Sequence, residues 1–292
     1  MKIRKLLWSI IALLPSFCYS NSLLPGCNKI LSYNLVEGLP NISLHPFSEA
    51  IGHTWVSGVV WDKPLIGKFY SVLAAHKGFF VILDLGAQTG SFSLLAKYFP
   101  NSHWHAFEPI EEAANTLKAN LLLNAIHNVS VYQMAASDSS GWALLKMPPQ
   151  NAWGLATLGE KALRFKPAGE RRIECVDLDS FVAAHQIQKV DFMKLDTEGW
   201  ELYILKGAAN LIKRDHPIIL MEYNQTNMAQ CHVLPEEIQQ FLQASGYEWK
   251  YISSEDLLCV PIKISTISNS AEADAKMECN TPSLPTTPPH SG

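Results

Sequence analysis

Between Val81 and Glu222 short apolar runs alternate with segments of helical periodicity, and that alternation admits few folds. Val81–Leu85, Trp104–Glu108, Val129–Met134, Val190–Leu195 and Pro217–Glu222 read as buried strands. Leu65–His76, Phe92–Phe99, Ile110–Asn124, Leu178–His185, Gly199–Lys213 and Pro235–Ser245 read as helices. Trp142–Lys146 and Arg172–Val176 suit a hairpin-like excursion, and Tyr247–Ile252 with Leu257–Ile262 a closing antiparallel pair. Strands separated by helices pair in parallel, because each crossover helix lies on a face of the sheet. The expected fold is therefore α/β, a mostly parallel sheet with helices on both faces. Such sheets bind ligands at the carboxyl ends of their strands, where the connection order reverses.

The first of these strands ends in Asp84-Leu85-Gly86-Ala87-Gln88-Thr89-Gly90. Gly86 and Gly90 remove side chains where backbone would approach a ligand. Glu108 follows at the end of the next strand, 18 positions after Gly90, where a carboxylate can accept from both hydroxyls of a ribose. A dinucleotide site needs a middle glycine so that a pyrophosphate can reach the helix N-terminus, but position 88 is Gln. Asp84 would repel a pyrophosphate and suits a cationic amino-acid ligand instead. S-adenosylmethionine, with an α-ammonium and a sulfonium, has that charge, and an NAD-dependent oxidoreductase is disfavoured.

With these residues in view, "VILDLGAQTG", "WHAFEP", "MAASD" and "VDFMKLDTEGWELYILKGA" resemble the FkbM family of S-adenosylmethionine-dependent methyltransferases over roughly residues 79–251. The last segment, with K-x-D-x-E-G-x-E before L-K-G-A, is the most specific. The resemblance implies a Rossmann-like class I methyltransferase fold with a seven-stranded sheet, and methyl transfer, usually to oxygen. It implies that Asp84, Gly86, Ala87 and Gly90 line the methionine half of the cofactor, that Glu108 holds the ribose, and that Ala136 and Asp138 lie near the adenine.

A second acidic cluster follows in Lys194-Leu195-Asp196-Thr197-Glu198-Gly199. Strand periodicity sends Lys194 and Asp196 to one side. At a strand tip Asp196 can take a proton from an acceptor hydroxyl or orient it; its bland alternative is an ion pair with Lys194. Glu198, before Gly199, is expected at the next helix's N-terminus, where an anion is stabilised. Glu222 is a further strand-end acid above the same cleft. Asp196 and Glu222 are compatible with a divalent cation, which nothing in their spacing demands, so no metal site is assigned. The ten histidines form no ligand-like set. His53, Trp55 and Trp61 suit an acceptor pocket, although Trp55, Trp61 and Trp153 read first as core or lid packing, with stacking on a carbohydrate compatible.

The ends of the chain differ from its middle. Residues 1–20 join a basic start, an apolar stretch from Leu6 to Leu14 and small residues after Pro15, the pattern of a secretory signal or an N-terminal membrane anchor. Residues 21–78 read as an extension or lid, 79–263 as the methyltransferase domain, and 264–292 as a disordered Pro/Ser/Thr-rich tail. A net charge of −4 and a pI near 6.2 carry no basic excess for nucleic acid. Six cysteines lack any C-x-x-C pair, and Cys175 reads as a buried thiol. The expected partner is a small-molecule or glycan acceptor, with membrane association through the N-terminus compatible. A secreted or membrane-associated binding protein that kept the fold without catalysis is the rival from another class.

Overall fold

The computed structural model describes residues 31–44, 63–149 and 152–262. Two short strands, β1 (Leu31–Tyr33) and β2 (Ile42–Leu44), pair antiparallel ahead of helix α1 (Lys63–Ala74). Next come β3 (Phe80–Leu85), a 3-10 helix (Ser93–Tyr98), β4 (Ser102–Phe107), α2 (Glu111–Leu123) and β5 (Val129–Tyr132). The excursion holds β6 (Ala135–Ser137), β7 (Gly141–Met147) and β8 (Gly169–Asp177). The chain returns through α3 (Leu178–Ala184), β9 (Phe192–Leu195), α4 (Glu201–Gly207), α5 (Ala209–Asp215) and β10 (Ile218–Glu222). It closes with α6 (Gln225–Gln230), α7 (Pro235–Ala244), β11 (Tyr247–Tyr251) and β12 (Asp256–Pro261).

Seven strands form the main sheet in the order β11-β12-β10-β9-β3-β4-β5. The pairs from β10 to β5 are parallel, and β12 runs antiparallel to both its neighbours. The chain moves outward from β3 through β4 to β5, then crosses back to β9 on the other side of β3. The reversal point, and hence the ligand crevice, lies at the carboxyl ends of β3 and β9. Because β12 is antiparallel, its first residue, Asp256, reaches the same edge and pairs with Glu222.

Period-two alternation divides the core into two layers. Leu83, Leu85, Met193 and Leu195 pack with α3, α4, α5 and α7 residues on one face. Phe80, Ile82 and Phe192 pack with α1, the 3-10 helix and α2 residues on the other. Asp84 and Lys194 belong to this second face and stand opposite each other in register.

The expected strands and most helices are present, with boundaries shifted by a few residues. Three differences have local causes. The segment after the glycine loop is a 3-10 helix with Ser93, Leu94, Leu95 and Ala96 buried. The helix expected over Gly199–Lys213 is two helices broken at Ala208, with Gly207 pressed against the backbone of β6. The excursion is a separate three-stranded sheet, β6-β8-β7, whose third member, β6, is too short to show a period in the sequence. The signal-like segment 1–20, His53, Trp55, Trp61, Cys18, Cys27, Cys279 and the tail from 264 lie outside the described residues. Cys175, Cys231 and Cys259 are buried free thiols. Among the described residues no helix is long and apolar enough to cross a membrane.

Gly207 gives a test of this packing. Alanine is the better helix former by about 1 kcal/mol, yet a Cβ at 207 would stand 2.0 Å from the Ser137 carbonyl oxygen. Gly207→Ala is expected to lower the melting temperature, measured by circular dichroism, against its helix propensity.

Candidate active site

A cavity of about 540 Å³ opens at the carboxyl edge of the sheet, a size suited to a drug-sized or cofactor ligand. Gly86 and Ala87 after β3, Glu108 after β4, Asp196 after β9, Glu222 at the end of β10 and Asp256 at the start of β12 all line it. The turn before β12 adds Ser253 to Glu255, and the segment between β7 and β8 adds Trp153 to Ala156, Leu158 and Arg164.

The glycine turn is built against β4. The N–H groups of Gly86 and Ala87 both donate to the Phe107 carbonyl, at 3.1 and 2.9 Å. The Gln88 N–H donates to Glu108 Oε2 and the Ile110 N–H to Glu108 Oε1, each at 2.9 Å. The first three amides of the turn are thus committed to β4 and Glu108. Gly86 has φ +80°, and a Cβ there would stand 1.9 Å from the Asp196 carbonyl oxygen, so the two strand tips touch backbone to backbone. Glu108 is 5% exposed, and burial pushes its carboxyl up to about 7 against the pull of the two N–H groups.

Beneath the turn, Lys194 Nζ donates to the Gly86 carbonyl at 3.1 Å. It lies 3.3 Å from Asp196 and 3.7 Å from Asp84, and 4.9 Å from the centre of the Phe92 ring. Burial pulls the Lys194 ammonium down, but Asp196 and Asp84 outweigh it and hold it above its ordinary value. Asp84 accepts from Ser93 Oγ at 2.6 Å, and its other oxygen is buried without a hydrogen bond. Burial pushes the Asp84 carboxyl up, opposed by Lys194 and Ser93.

The carboxylate oxygens of Asp196, Glu198 and Glu222 lie within 4.8 Å of one another, close enough for a cation to bridge. Their charge is already answered by protein donors: Lys194 for Asp196, Arg164 for Glu198 at 2.7 Å, and Asn227 Nδ2 for both Glu222 oxygens at 3.0 and 3.1 Å. Burial, then repulsion from Asp196, pushes the Glu198 and Glu222 carboxyls up. Asp196 stays 41% exposed to the cavity.

The structure brings Gly86, Ala87, Glu108, Ala136, Asp196, Glu198 and Glu222 to one wall. It gives other work to three residues expected beside the cofactor. Asp84 is fully buried behind the turn, Gly90 packs on Leu117, and Asp138 is exposed, its carboxylate receiving the Ser137 and Ser139 hydroxyls. Glu198 is also placed differently from expectation. Its backbone is left-handed at φ +57° and its side chain turns to Arg164, while Glu201 supports the start of α4, accepting the Thr197 N–H and hydroxyl at 2.8 and 2.9 Å. Gln88, Arg164 and the 253–256 turn were not expected on the wall as site residues, and Trp153, read first as core or lid packing, lines it too. Glu201 had a legible signal, an acid in a helix's first turn; Arg164 had none, because its partner is 34 positions away.

The sequence profile of the FkbM methyltransferase domain matches residues 84–249. The chain belongs to that family. A curated relative, methyltransferase sdnD of Sordaria araneosa, is 30% identical over 155 residues, covering 44% of this chain and 60% of the relative. Among solved structures, the FkbM methyltransferase of Methylobacillus flagellatus superposes with a TM-score of 0.44 at 16% identity, covering 64% of this chain and 45% of its own. Precorrin-6y C5,15-methyltransferase of Geobacter metallireducens superposes at 0.40 and 13% identity, covering 69% and 88%. The match thus spans 60% of the length of that curated relative. The family match ends before β12 begins, so the Ser253–Asp256 wall lies outside it.

The raised Glu222 carboxyl fixes a pH trend. A group whose folded pKa exceeds its unfolded one stabilises fully below the ordinary carboxylate range, and that contribution is lost as pH rises. The ligand-free protein is expected to melt lower at about pH 9 than at about pH 6. Glu222→Gln, which keeps an acceptor for Asn227, should flatten that slope in calorimetric melts.

Proposed function

We propose that this chain is an S-adenosylmethionine-dependent methyltransferase that methylates a hydroxyl oxygen on a sugar or another small hydroxylated acceptor. One observation carries the reading: Glu108 and Asp196 flank the Gly86 turn on the wall of a single cavity, at the tips of the strands on either side of β3. Family membership supports the transfer of a methyl group. The chemistry of the wall fits the cofactor, because Glu108 can accept from ribose hydroxyls and Asp196 is open to the cavity. Gln88 in place of a middle glycine speaks against a nicotinamide dinucleotide.

When bound, S-adenosylmethionine would supply an electrophilic methyl group on a sulfonium. Glu108 is held by two backbone N–H groups and keeps lone pairs for the ribose hydroxyls. Asp196 is the acid of its cluster with substantial exposure to the cavity, and Lys194 fixes its position. It would accept the proton that the acceptor hydroxyl gives up as its oxygen takes the methyl. Holding the acceptor in line supplies much of the rate. Glu198 and Glu222, tied to Arg164 and Asn227, would shape the acceptor side rather than take the proton.

Residues 1–20 support export or membrane anchoring as a separate proposal about location. Sequencing the N-terminus of the protein isolated from its own cells tests it; an intact start on protein recovered from the soluble cytosol would overturn it.

The roles divide under mutation. Glu108→Ala is expected to weaken S-adenosylmethionine binding at least about tenfold in calorimetry. Asp196→Ala should leave that affinity within about threefold and slow label transfer to extract acceptors by about a hundredfold. Equal loss of affinity in both would overturn the division. A wild-type chain that binds the cofactor but labels nothing would favour the non-catalytic binding protein.

A further inference from the structure

Helix α6 (Gln225–Gln230) buries two side-chain amides, Asn227 at 0% and Gln230 at 1% exposure. Buried amides need hydrogen-bond partners, and here the partners come from three other segments of the chain. Asn227 Nδ2 donates to both Glu222 oxygens, and its Oδ1 accepts from Arg164 Nη1 at 3.4 Å. Gln230 Nε2 donates to the Glu198 carbonyl at 2.8 Å, and its Oε1 accepts the Leu163 N–H at 3.2 Å. Among the described residues, the cavity wall includes Arg164, Glu198 and Glu222 but neither amide.

The packing around the helix leaves these segments no slack. A Cβ at Gly199 would stand 2.0 Å from the Asn227 carbonyl oxygen, and one at Gly159 would stand 2.6 Å from the Gln230 carbonyl oxygen. The backbone of α6 is thus pressed against both the turn after β9 and the segment between β7 and β8. Glu198 has φ +57°, a strained state for a residue with a Cβ, which persists only where its surroundings over-determine it. Gln230 supplies part of that constraint. The fully buried Thr157 supplies more, its hydroxyl donating to the same Glu198 carbonyl at 3.0 Å. The Glu198 side chain then meets Arg164 at 2.7 Å.

We propose that Asn227 and Gln230 are positioning residues for the acceptor: from behind the wall they hold Arg164, Glu198 and Glu222 in one arrangement and so set the surface that the acceptor meets. The inference rests on the reading that this side of the cavity receives the acceptor. An amide suits the task because it is donor and acceptor at once and carries no charge. Asn227 gives its nitrogen to an acid and its oxygen to a guanidinium, and so spaces Glu222 from Arg164 without adding to the charge of the wall. Among the described residues neither amide bonds to the glycine turn, Glu108, Lys194 or Asp196, whose partners are their own. Cofactor binding and proton removal are therefore separable from what α6 does.

The test uses the full-length protein and two near-isosteric variants, Asn227→Leu and Gln230→Met, which keep the side-chain shape and remove the hydrogen bonds. Affinity for S-adenosylhomocysteine is measured by calorimetry. Label transfer from saturating S-adenosylmethionine is measured across a dilution series of cell extract. Both variants are expected to bind S-adenosylhomocysteine, and to reach the plateau rate, within about threefold of the wild type. The extract concentration giving half the plateau rate is expected to rise about tenfold or more. A folded variant that leaves that concentration unchanged overturns the proposal, and so does one that loses cofactor affinity and plateau rate in equal measure, as a general structural role would. Should one variant fail to fold, the other decides. A wild type that binds S-adenosylhomocysteine but labels nothing would instead remove the methyl-transfer reading on which the proposal rests.

Discussion

Lys194 beside Asp84 is the contact on which the site depends. The two residues face each other across β3 and β9, nearly out of reach of solvent, in a layer otherwise built from Phe80, Ile82 and Phe192. A charge there is tolerated only with a partner, and removing one partner of such a pair costs roughly 3–5 kcal/mol. The ammonium also holds the Gly86 carbonyl and Asp196. One buried cation therefore joins the loop of the first strand to the acid of the fourth parallel strand in the chain, and sets the spacing between the two ends of the cavity.

That arrangement explains why the acids of the motif do different jobs although they look alike in sequence. Asp84 points into the protein and anchors Lys194. Glu108 points to the cavity but is clamped by backbone N–H groups. Asp196 is left partly free, Glu198 is drawn to Arg164, and Glu201 steadies the turn that carries both. Asp84 and Glu201 are almost wholly buried, whereas Asp196 keeps part of its surface on the cavity.

Much of the fold was legible in the sequence because its strands are short apolar runs punctuated by glycine and proline, and because crossover helices force parallel pairing. The placement of Glu108 and Asp196 at strand tips on the cavity was legible for the same reason, since a strand's end is where its periodicity stops. The side toward which Asp84 points was readable in principle from alternation with Ile82, but the carboxylate's chemistry suggested the ligand instead. Arg164 was illegible as a site residue because it reaches the cavity from a segment with no periodicity, through a partner distant in the chain. The break at Ala208 was hidden too, because it arises from a contact with β6 and not from any helix-breaking residue other than Gly207.

The reversed direction of β12 brings its first residue, and the turn from β11, to the edge where the parallel strands end. One side of the pocket is thus supplied by a stretch that follows the matched domain, and Asp256, paired with Glu222, brings a further carboxyl within electrostatic reach of Lys194 and Asp196. The outer border of the cavity is therefore tied to the buried cation through the last strand as well as through the glycine loop.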